Sequence, residues 1–149
     1  MTFDQFKKER EGKKYQESAK FWAQCVALAK LYASEVDGIQ LNGFSWSAIQ
    51  WWWTGSPFKL LPYARVNYTG KGIPPRGSII FFSATKSNPY WHVAIAGQCN
   101  KDEIRVIEQN ADKGSGTGKW GDAITIRNYP YSGWKTGNVL WWYTCTMQF

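Results

Sequence analysis

A single change of periodicity divides the sequence and limits the folds it can adopt. Residues 23–36 carry apolar side chains at helical spacing, with Val26 and Ala33 on one stripe, and Asp37-Gly38 ends this predicted helix. Later in the chain, β-rich runs lie between turn residues, at 78–83, 91–97, 103–110, 122–128 and 138–145. Helices followed by strands predict an α+β fold in which N-terminal helices pack on an antiparallel sheet of about five strands.

The segments outside these runs are less regular. Residues 1–16 are predicted to form a short amphipathic helix or an arm lying on the domain, and Ser45 can cap a second short helix that reaches Trp53. Residues 54–77 are rich in Gly and Pro and show little periodicity, so we expect a long irregular segment there. The glycine-rich residues 112–118 lack the spacing of a phosphate-binding loop, and we interpret them as an ordinary loop.

Length and composition describe one globular domain. A chain of 149 residues with 44% apolar and 19% charged residues is long enough for a single core. Ten Trp residues must lie mostly in the core or line a pocket, because an exposed aromatic surface of that size would aggregate. The sequence shows neither an apolar run that could span a membrane nor a signal peptide, so we expect synthesis in the cytoplasm. Three Cys residues make a free thiol more plausible than a disulfide framework.

The charge balance concerns partners more than fold. Eighteen Lys and Arg against eleven Asp and Glu give a net charge of +7, which favours anionic polymers such as nucleic acid or the teichoic acids of a bacterial wall. The basic residues are scattered, so no nucleic-acid-binding stripe is evident. A solvated surface with a positive bias is the simpler interpretation.

Cys25 lies in the opening turn of the predicted helix. A thiol there is close to unpaired backbone N–H groups and to the positive end of the helix dipole, and both favour the thiolate. The alternative is a buried structural cysteine, which is the commoner fate of this residue type.

His92 is the only histidine of the chain and opens one of the β-rich runs. In the next run, Glu108 and Asn110 continue one strand face by period two. A three-residue turn at 99–101 would place His92 opposite Glu108, and a turn shifted by one residue would place it opposite Asn110. Both registers direct the three side chains to one face. A structural histidine and a surface ion pair of Glu108 are the alternatives.

Cys25, His92 and Glu108 together would supply an attacking group, a base and an orienting carboxylate. Asn110 would orient His92 as well or bind the substrate. The backbone N–H of Cys25 is the first candidate for an oxyanion donor, and the side-chain amide of Gln24 is the second. A single histidine and no cysteine pair at ligand spacing disfavour a zinc site, and we predict no metal and no cofactor.

Four stretches carry these residues in a characteristic order over about residues 17–145. They are Gln24-Cys25-Val26-Ala27-Leu28, Pro75-Arg76-Gly77-Ser78-Ile79-Ile80-Phe81-Phe82, His92-Val93-Ala94-Ile95 and Val106-Ile107-Glu108-Gln109-Asn110. In this order they resemble the CHAP domains, the cysteine, histidine-dependent amidohydrolases and peptidases. Two departures are visible: Ser78 stands where the family usually has Asp, and Trp91 where Gly often precedes the histidine.

The resemblance implies a papain-like α+β fold and cleavage of an amide bond in bacterial peptidoglycan through a thioester acyl-enzyme, as in phage endolysins. It makes Cys25 the nucleophile, His92 the base, and Glu108 with Asn110 the orienting pair. It implies a muramoyl-alanine amidase or a peptidoglycan endopeptidase. The length of 149 residues predicts one catalytic domain with no separate wall-binding domain, and we expect a monomer. Some members of the family hold calcium with an acidic loop before the cysteine, but Glu17 is the only carboxylate between Gly12 and Gln24, so we predict no calcium site.

The predicted substrate groove is lined by aromatic side chains. Trp91, Trp120 and Trp134 are expected to pack against glycan or stem peptide. The expected partners are peptidoglycan and anionic wall polymers, not nucleic acid, reached after release by a lysis system, in a virion or as a toxin. The alternative is a non-catalytic module that binds wall or nucleic acid through its basic, Trp-rich surface.

Overall fold

A computed structural model describes residues 1–15, 25–41, 58, 61–85, 91–109, 123–132 and 137–147. Within these residues the helical elements are α1 (Phe3–Arg10), α2 (Cys25–Tyr32) and a π-helical turn (Ala33–Asp37). The strands are β1 (Tyr63–Asn67), β2 (Ile79–Phe82), β3 (His92–Ala96), β4 (Glu103–Glu108), β5 (Thr125–Pro130) and β6 (Val139–Cys145).

The strands form one six-stranded sheet in the order β1-β6-β2-β3-β4-β5, and every recorded pairing is antiparallel. The prediction of an α+β fold with an antiparallel sheet is therefore confirmed. The additional strand is β1, which lies at the sheet edge within the segment predicted to be irregular. Most of β1 is exposed, and Arg65 and Asn67 interrupt any apolar pattern, so its sequence carries no strand signal.

Alternation along the central strands gives the sheet two buried faces. The helix-side face, which packs under α2, includes Ile79, Phe81, Val93, Ile95 and Ile107. The opposite face includes Ile80, Phe82, Ala94, Ala96, Ile104 and Val106. Burial on both faces explains why β2 and β3 are apolar at almost every position.

Helix α2 is more buried than the single apolar stripe of the predicted helix indicates. Val26, Ala27, Leu28 and Ala29 are all buried, so the helix is covered on several sides. Its continuation ends where the sequence predicts, because Gly38 adopts the left-handed conformation (φ 70°) and donates its backbone N–H to the carbonyl of Ala33. The predicted start at residue 23 lies outside the described residues.

The N-terminal segment forms a helix and then a short arm. Thr2 caps α1, since its hydroxyl accepts from the Gln5 backbone N–H while the Gln5 side chain accepts from Thr2. Phe6 is buried and its ring lies edge-on to Tyr32 at 5.0 Å between centroids. The backbone of Tyr15 donates to the Gln109 side chain at 2.7 Å and accepts from it at 2.9 Å. The arm is thus attached to the residue that follows β4.

Two predicted features cannot be compared with the structure. The second short helix from Ser45 to Trp53 and the glycine-rich loop at 112–118 lie outside the described residues. Among the helices that are described, neither length nor hydropathy suffices for a membrane crossing.

Candidate active site

His92 and Glu108 meet on the opposite face of the sheet. His92 is the first residue of β3 and Glu108 is the last of β4. The Nε2 atom of His92 lies 2.9 Å from Oε1 of Glu108, and both side chains are inaccessible to solvent. Because a buried ionisable group is costly unless it is paired, this contact satisfies both partners.

The strand register explains how these two residues reach each other. β3 and β4 pair through Ile95↔Ile107 and Ala96↔Val106. Extending this register by two residues sets Glu108 opposite Ala94, so His92 is its diagonal neighbour on the same face, within reach of a long side chain. Of the two predicted registers, the structure has the shifted one. The predicted proximity of His92 and Glu108 survives because a shift by two residues keeps both on one face.

Cys25 interacts with the same imidazole as Glu108. The thiol is partly buried at the first residue of α2. Among the described residues, Nδ1 of His92 has no hydrogen bond of ordinary geometry. Burial lowers the pKa of His92, but interactions with Cys25 and Glu108 raise it more strongly, and the net effect raises the pKa to about 10. The imidazole is therefore predominantly protonated at neutral pH.

Two residues of β5 complete the surroundings of Glu108. The hydroxyl of Tyr129 donates to Oε2 of Glu108, and Nε of Arg127 lies 3.9 Å from the same oxygen. Both follow from the pairing Glu108↔Thr125, because Thr125, Arg127 and Tyr129 alternate onto the face that carries Glu108. Neither residue is predicted from the sequence. The alternation of side chains along a strand predicts that Arg127 and Tyr129 share one face. Only the register between β4 and β5 shows that Glu108 lies on the same face.

Trp91 precedes His92 with an unusual backbone. Its φ of 64° makes it the only non-glycine residue with positive φ in the described chain. Its partly buried ring packs edge-on against Trp141, with centroids 5.8 Å apart, and the Arg65 guanidinium lies 4.1 Å from the centroid of the Trp141 ring. The backbone of Trp91 therefore adopts a conformation that is strained for a residue with a side chain, although glycine adopts it without strain. A glycine there would lack the ring that packs against Trp141.

This geometry can be set beside known proteins. The family model of the CHAP domain matches residues 13–110. The chain belongs to the CHAP domain family. The match includes Cys25, His92 and Glu108, so all three candidate residues lie inside the CHAP domain region. No curated protein matches the sequence significantly.

Several solved structures share the fold of this CHAP domain. It is similar to a wild-type endolysin, LysIME-EF1, with a TM-score of 0.72 and 16% identity over 97% of this chain and 64% of that chain. It is also similar to Ly7917 solved with the hydrolyzing product of MDP, with a TM-score of 0.54 and 21% identity over 83% of this chain and 53% of that one. A second Ly7917 structure has a TM-score of 0.56 and 24% identity over the same shares, 83% and 53%.

The chain therefore spans between about half and two thirds of the length of these structures. At such identities the likeness concerns the fold, and it agrees with the papain-like α+β architecture implied by the sequence.

The departure at Ser78 has a structural explanation in this CHAP domain. Ser78 is buried just before β2. Its hydroxyl donates to the carbonyl of Pro75 at 2.7 Å and shares a hydrogen bond with the Thr144 hydroxyl at 2.8 Å. Both contacts hold the strand in place.

The other thiols of the CHAP domain differ from Cys25. Cys99 donates weakly to the carbonyls of Gly97 and Arg105, and burial raises the pKa of its thiol. Burial also raises the pKa of Cys145. Both are therefore held mainly as neutral thiols, and neither interacts with the imidazole of His92.

Several predicted site residues have no described position. Gln24, Asn110, Trp120 and Trp134 all lie outside the described residues, so their predicted roles as oxyanion donor, second orienting residue and groove lining stay predictions. Across the described ranges, no cluster of three His, Cys, Asp or Glu side chains has the arrangement of a metal site.

Proposed function

We propose that this CHAP domain is a peptidoglycan hydrolase that cleaves an amide bond with Cys25 as nucleophile, His92 as proton carrier and Glu108 as the orienting carboxylate. The observation that carries the proposal is the buried contact of 2.9 Å between His92 and Glu108, with Cys25 acting on the same imidazole. Nucleophile, base and orienting group are the three parts that an activated thiol requires.

The raised pKa of His92 suggests the starting state. A protonated imidazole beside Cys25 stabilises the thiolate, which is the reactive form of cysteine. The sulfur attacks the amide carbonyl carbon, and His92 transfers its proton to the departing nitrogen as the C–N bond breaks. The neutral imidazole then accepts a proton from water, whose oxygen displaces the thiolate from the thioester and leaves a carboxylate product.

Glu108 acts by holding the imidazole. Its Oε1 atom faces Nε2 of His92, while Tyr129 and Arg127 contact Oε2. The hydroxyl and the guanidinium fix the position of the carboxylate, so it can stabilise the imidazolium throughout the reaction. Tyr129 and Arg127 are therefore positioning residues in this mechanism.

The proposed substrate follows from the family and from the endolysin neighbours. Peptidoglycan offers the amide bonds of its stem peptides and of their junction with muramic acid, which makes the enzyme a muramoyl-alanine amidase or an endopeptidase. Trp91, which precedes His92 in the chain and whose ring packs against Trp141, is proposed to contact glycan or stem peptide. Residues 1–149 are proposed to act as one catalytic domain on the cell wall.

The decisive experiment replaces the nucleophile. Cys25→Ala is expected to abolish release of new amine and carboxyl groups from purified walls, while the matched Cys99→Ala variant retains wild-type hydrolysis. Both proteins are compared by circular dichroism to establish that they fold. Hydrolysis that persists in folded Cys25→Ala would show the assignment to be wrong. Mass spectrometry of the fragments then identifies the bond.

Thiol alkylation separates this proposal from a non-catalytic binding module. Iodoacetamide near neutral pH is expected to modify Cys25 first, with His92→Ala slowing the reaction, because the imidazolium supports the thiolate. Cys99 and Cys145 are expected to react slowly, since burial raises the pKa of each. An inert Cys25 in a protein that still binds walls would favour the binding module.

A further inference from the structure

A basic cleft lies between α1 and the end of β3 that is remote from His92. Its volume is about 370 Å³, part of it open to solvent, and Gly97 and Gln98 line it where the chain leaves β3. His92 begins the same strand. At the rise of a β-strand the two sites are roughly 15 Å apart, so the cleft is separate from the proposed catalytic residues.

Three cations from three parts of the chain line this cleft. Lys7 comes from α1, Arg76 from the segment before β2, and Arg105 from β4. Asp4 is the one carboxylate in the lining, and its Oδ1 atom lies 3.6 Å from Nη1 of Arg76. Within the described parts of the chain, Lys7 and Arg105 form no salt bridge. The lining therefore carries positive charge that the described residues do not neutralise.

Part of the lining of the cleft is apolar. Ile107 and Ile126 line it together with the charged side chains, and the Arg76 guanidinium sits 5.0 Å from the centroid of the Phe3 ring. Charges in a cleft with low-dielectric walls attract an anion more strongly than the same charges on an open surface. The two guanidinium groups present planar pairs of N–H donors, which match the oxygens of a phosphate.

We propose that this cleft binds a phosphodiester unit of an anionic wall polymer of the teichoic acid class. The proposal rests on the proposed function, because it assigns the cleft a role in holding a wall hydrolase on its substrate. Nucleic acid fits the cleft less well. Among the described residues that line it none is a Trp or a Tyr, and Arg76 already lies over the Phe3 ring, so these residues offer bases no free stacking platform.

The test measures binding without hydrolysis. Cys25→Ser protein is cosedimented with purified walls that carry teichoic acid and with the same walls after acid extraction of that polymer. Adding Arg105→Gln is expected to weaken binding to the intact walls roughly fivefold, and adding Arg76→Gln as well to weaken it further. The matched control, Lys8→Gln with Lys71→Gln, removes two exposed charges outside the cleft and is expected to retain binding.

Three results would contradict the proposed role of the cleft. The first is an equal loss of wall binding in the control and cleft variants, and the second is unchanged wall binding in the cleft variants. The third is a loss of binding that is also seen on extracted walls. An equal loss of binding to duplex DNA would also overturn the assignment to a wall polymer. Since Arg76 also contacts α1, circular dichroism of the Arg76→Gln protein checks that it folds, and Arg105→Lys, which keeps the charge, is expected to retain most of the affinity.

Failure of this proposal is distinguishable from failure of the proposed function. Alkylation of Cys25 in the Arg76→Gln/Arg105→Gln protein reports on the thiol alone and is expected to match the wild type. If Cys25 reacts and the cleft variants bind walls as the wild type does, only the proposed role of the cleft is wrong. If Cys25 is inert and the cleft variants lose binding only to walls that carry teichoic acid, the role of the cleft is supported and the proposed mechanism is wrong.

Discussion

The two ends of β3 handle charge in opposite ways. At its start, His92 and Glu108 are sealed from solvent, and each polar atom of the carboxylate has a partner. Beyond its end, the cations of the basic cleft are exposed, and the Asp4–Arg76 pair leaves the two side chains 76% and 52% accessible. A buried charge is stable only with its partners, and salt screens its interactions little. An exposed charge is screened by salt and is accessible to ligands. Four substitutions or titrations test this contrast.

The largest expected effect comes from removing the buried charge. Glu108→Gln keeps the shape of the side chain but loses the negative charge that stabilises imidazolium. Hydrolysis of purified walls is expected to fall roughly a hundredfold or more, with little dependence on salt. Glu103→Gln, an exposed position at the start of the same strand, is the control and is expected to have wild-type rates. A loss of less than about threefold in Glu108→Gln would contradict the proposed role.

The second effect is a pH dependence of stability. The pKa of His92 is raised from 6.5 to about 10 in the folded protein. The folded state therefore binds the proton more tightly than the unfolded state, so the stabilisation is complete below about pH 6.5 and is lost as pH rises towards 10. The slope for one proton is at most about 1.4 kcal/mol per pH unit.

Urea unfolding at several pH values measures this slope. Because interactions with Cys25 contribute to the raised pKa of His92, the decline between pH 6.5 and 10 is expected to be shallower in Cys25→Ala than in the wild type. Parallel profiles in the two proteins would show that Cys25 does not act on the imidazole.

A smaller effect is expected from the hydroxyl of Tyr129. Tyr129→Phe removes the donor to Glu108 and keeps the ring, so hydrolysis is expected to fall about tenfold with a shifted pH profile. Tyr131→Phe is the matched control, because the Tyr131 hydroxyl donates to the carbonyl of Asn100 at 2.7 Å and does not touch Glu108. Equal losses of hydrolysis in both variants would indicate a general structural cost.

The smallest effect is expected for the exposed pair. Asp4→Asn removes the partner of Arg76, and the free energy of unfolding is expected to change by no more than about 0.5 kcal/mol because solvent screens the pair. Urea unfolding at low and high salt checks this value. A loss of several kcal/mol would mean that the pair behaves like the buried one, and the contrast between the two ends of β3 would fail.

The sequence predicts the parts of this structure that depend on short-range alternation. The strand runs beginning near His92 and Glu103 are visible because buried residues repeat along them, and the shared face of His92 and Glu108 follows from period two. Arg127 and Tyr129 escape prediction because their contact with Glu108 depends on register between strands.

β1 escapes for a different reason. It is short and exposed, and it is stabilised by backbone pairing with β6. Backbone pairing does not require a pattern of apolar side chains, so the sequence of β1 does not show it. The burial of α2 on several sides is likewise a consequence of tertiary packing.

Glu108 and Gln109 are neighbours that serve different sides of the molecule. The carboxylate contacts His92, and the amide next to it forms two hydrogen bonds with the backbone of Tyr15. One inserted or deleted residue in β4 would exchange the two side chains between faces. It would leave an uncharged amide at the imidazole and a carboxylate against a peptide carbonyl. A register shift of one residue would therefore both disable proton transfer and detach the amino-terminal arm.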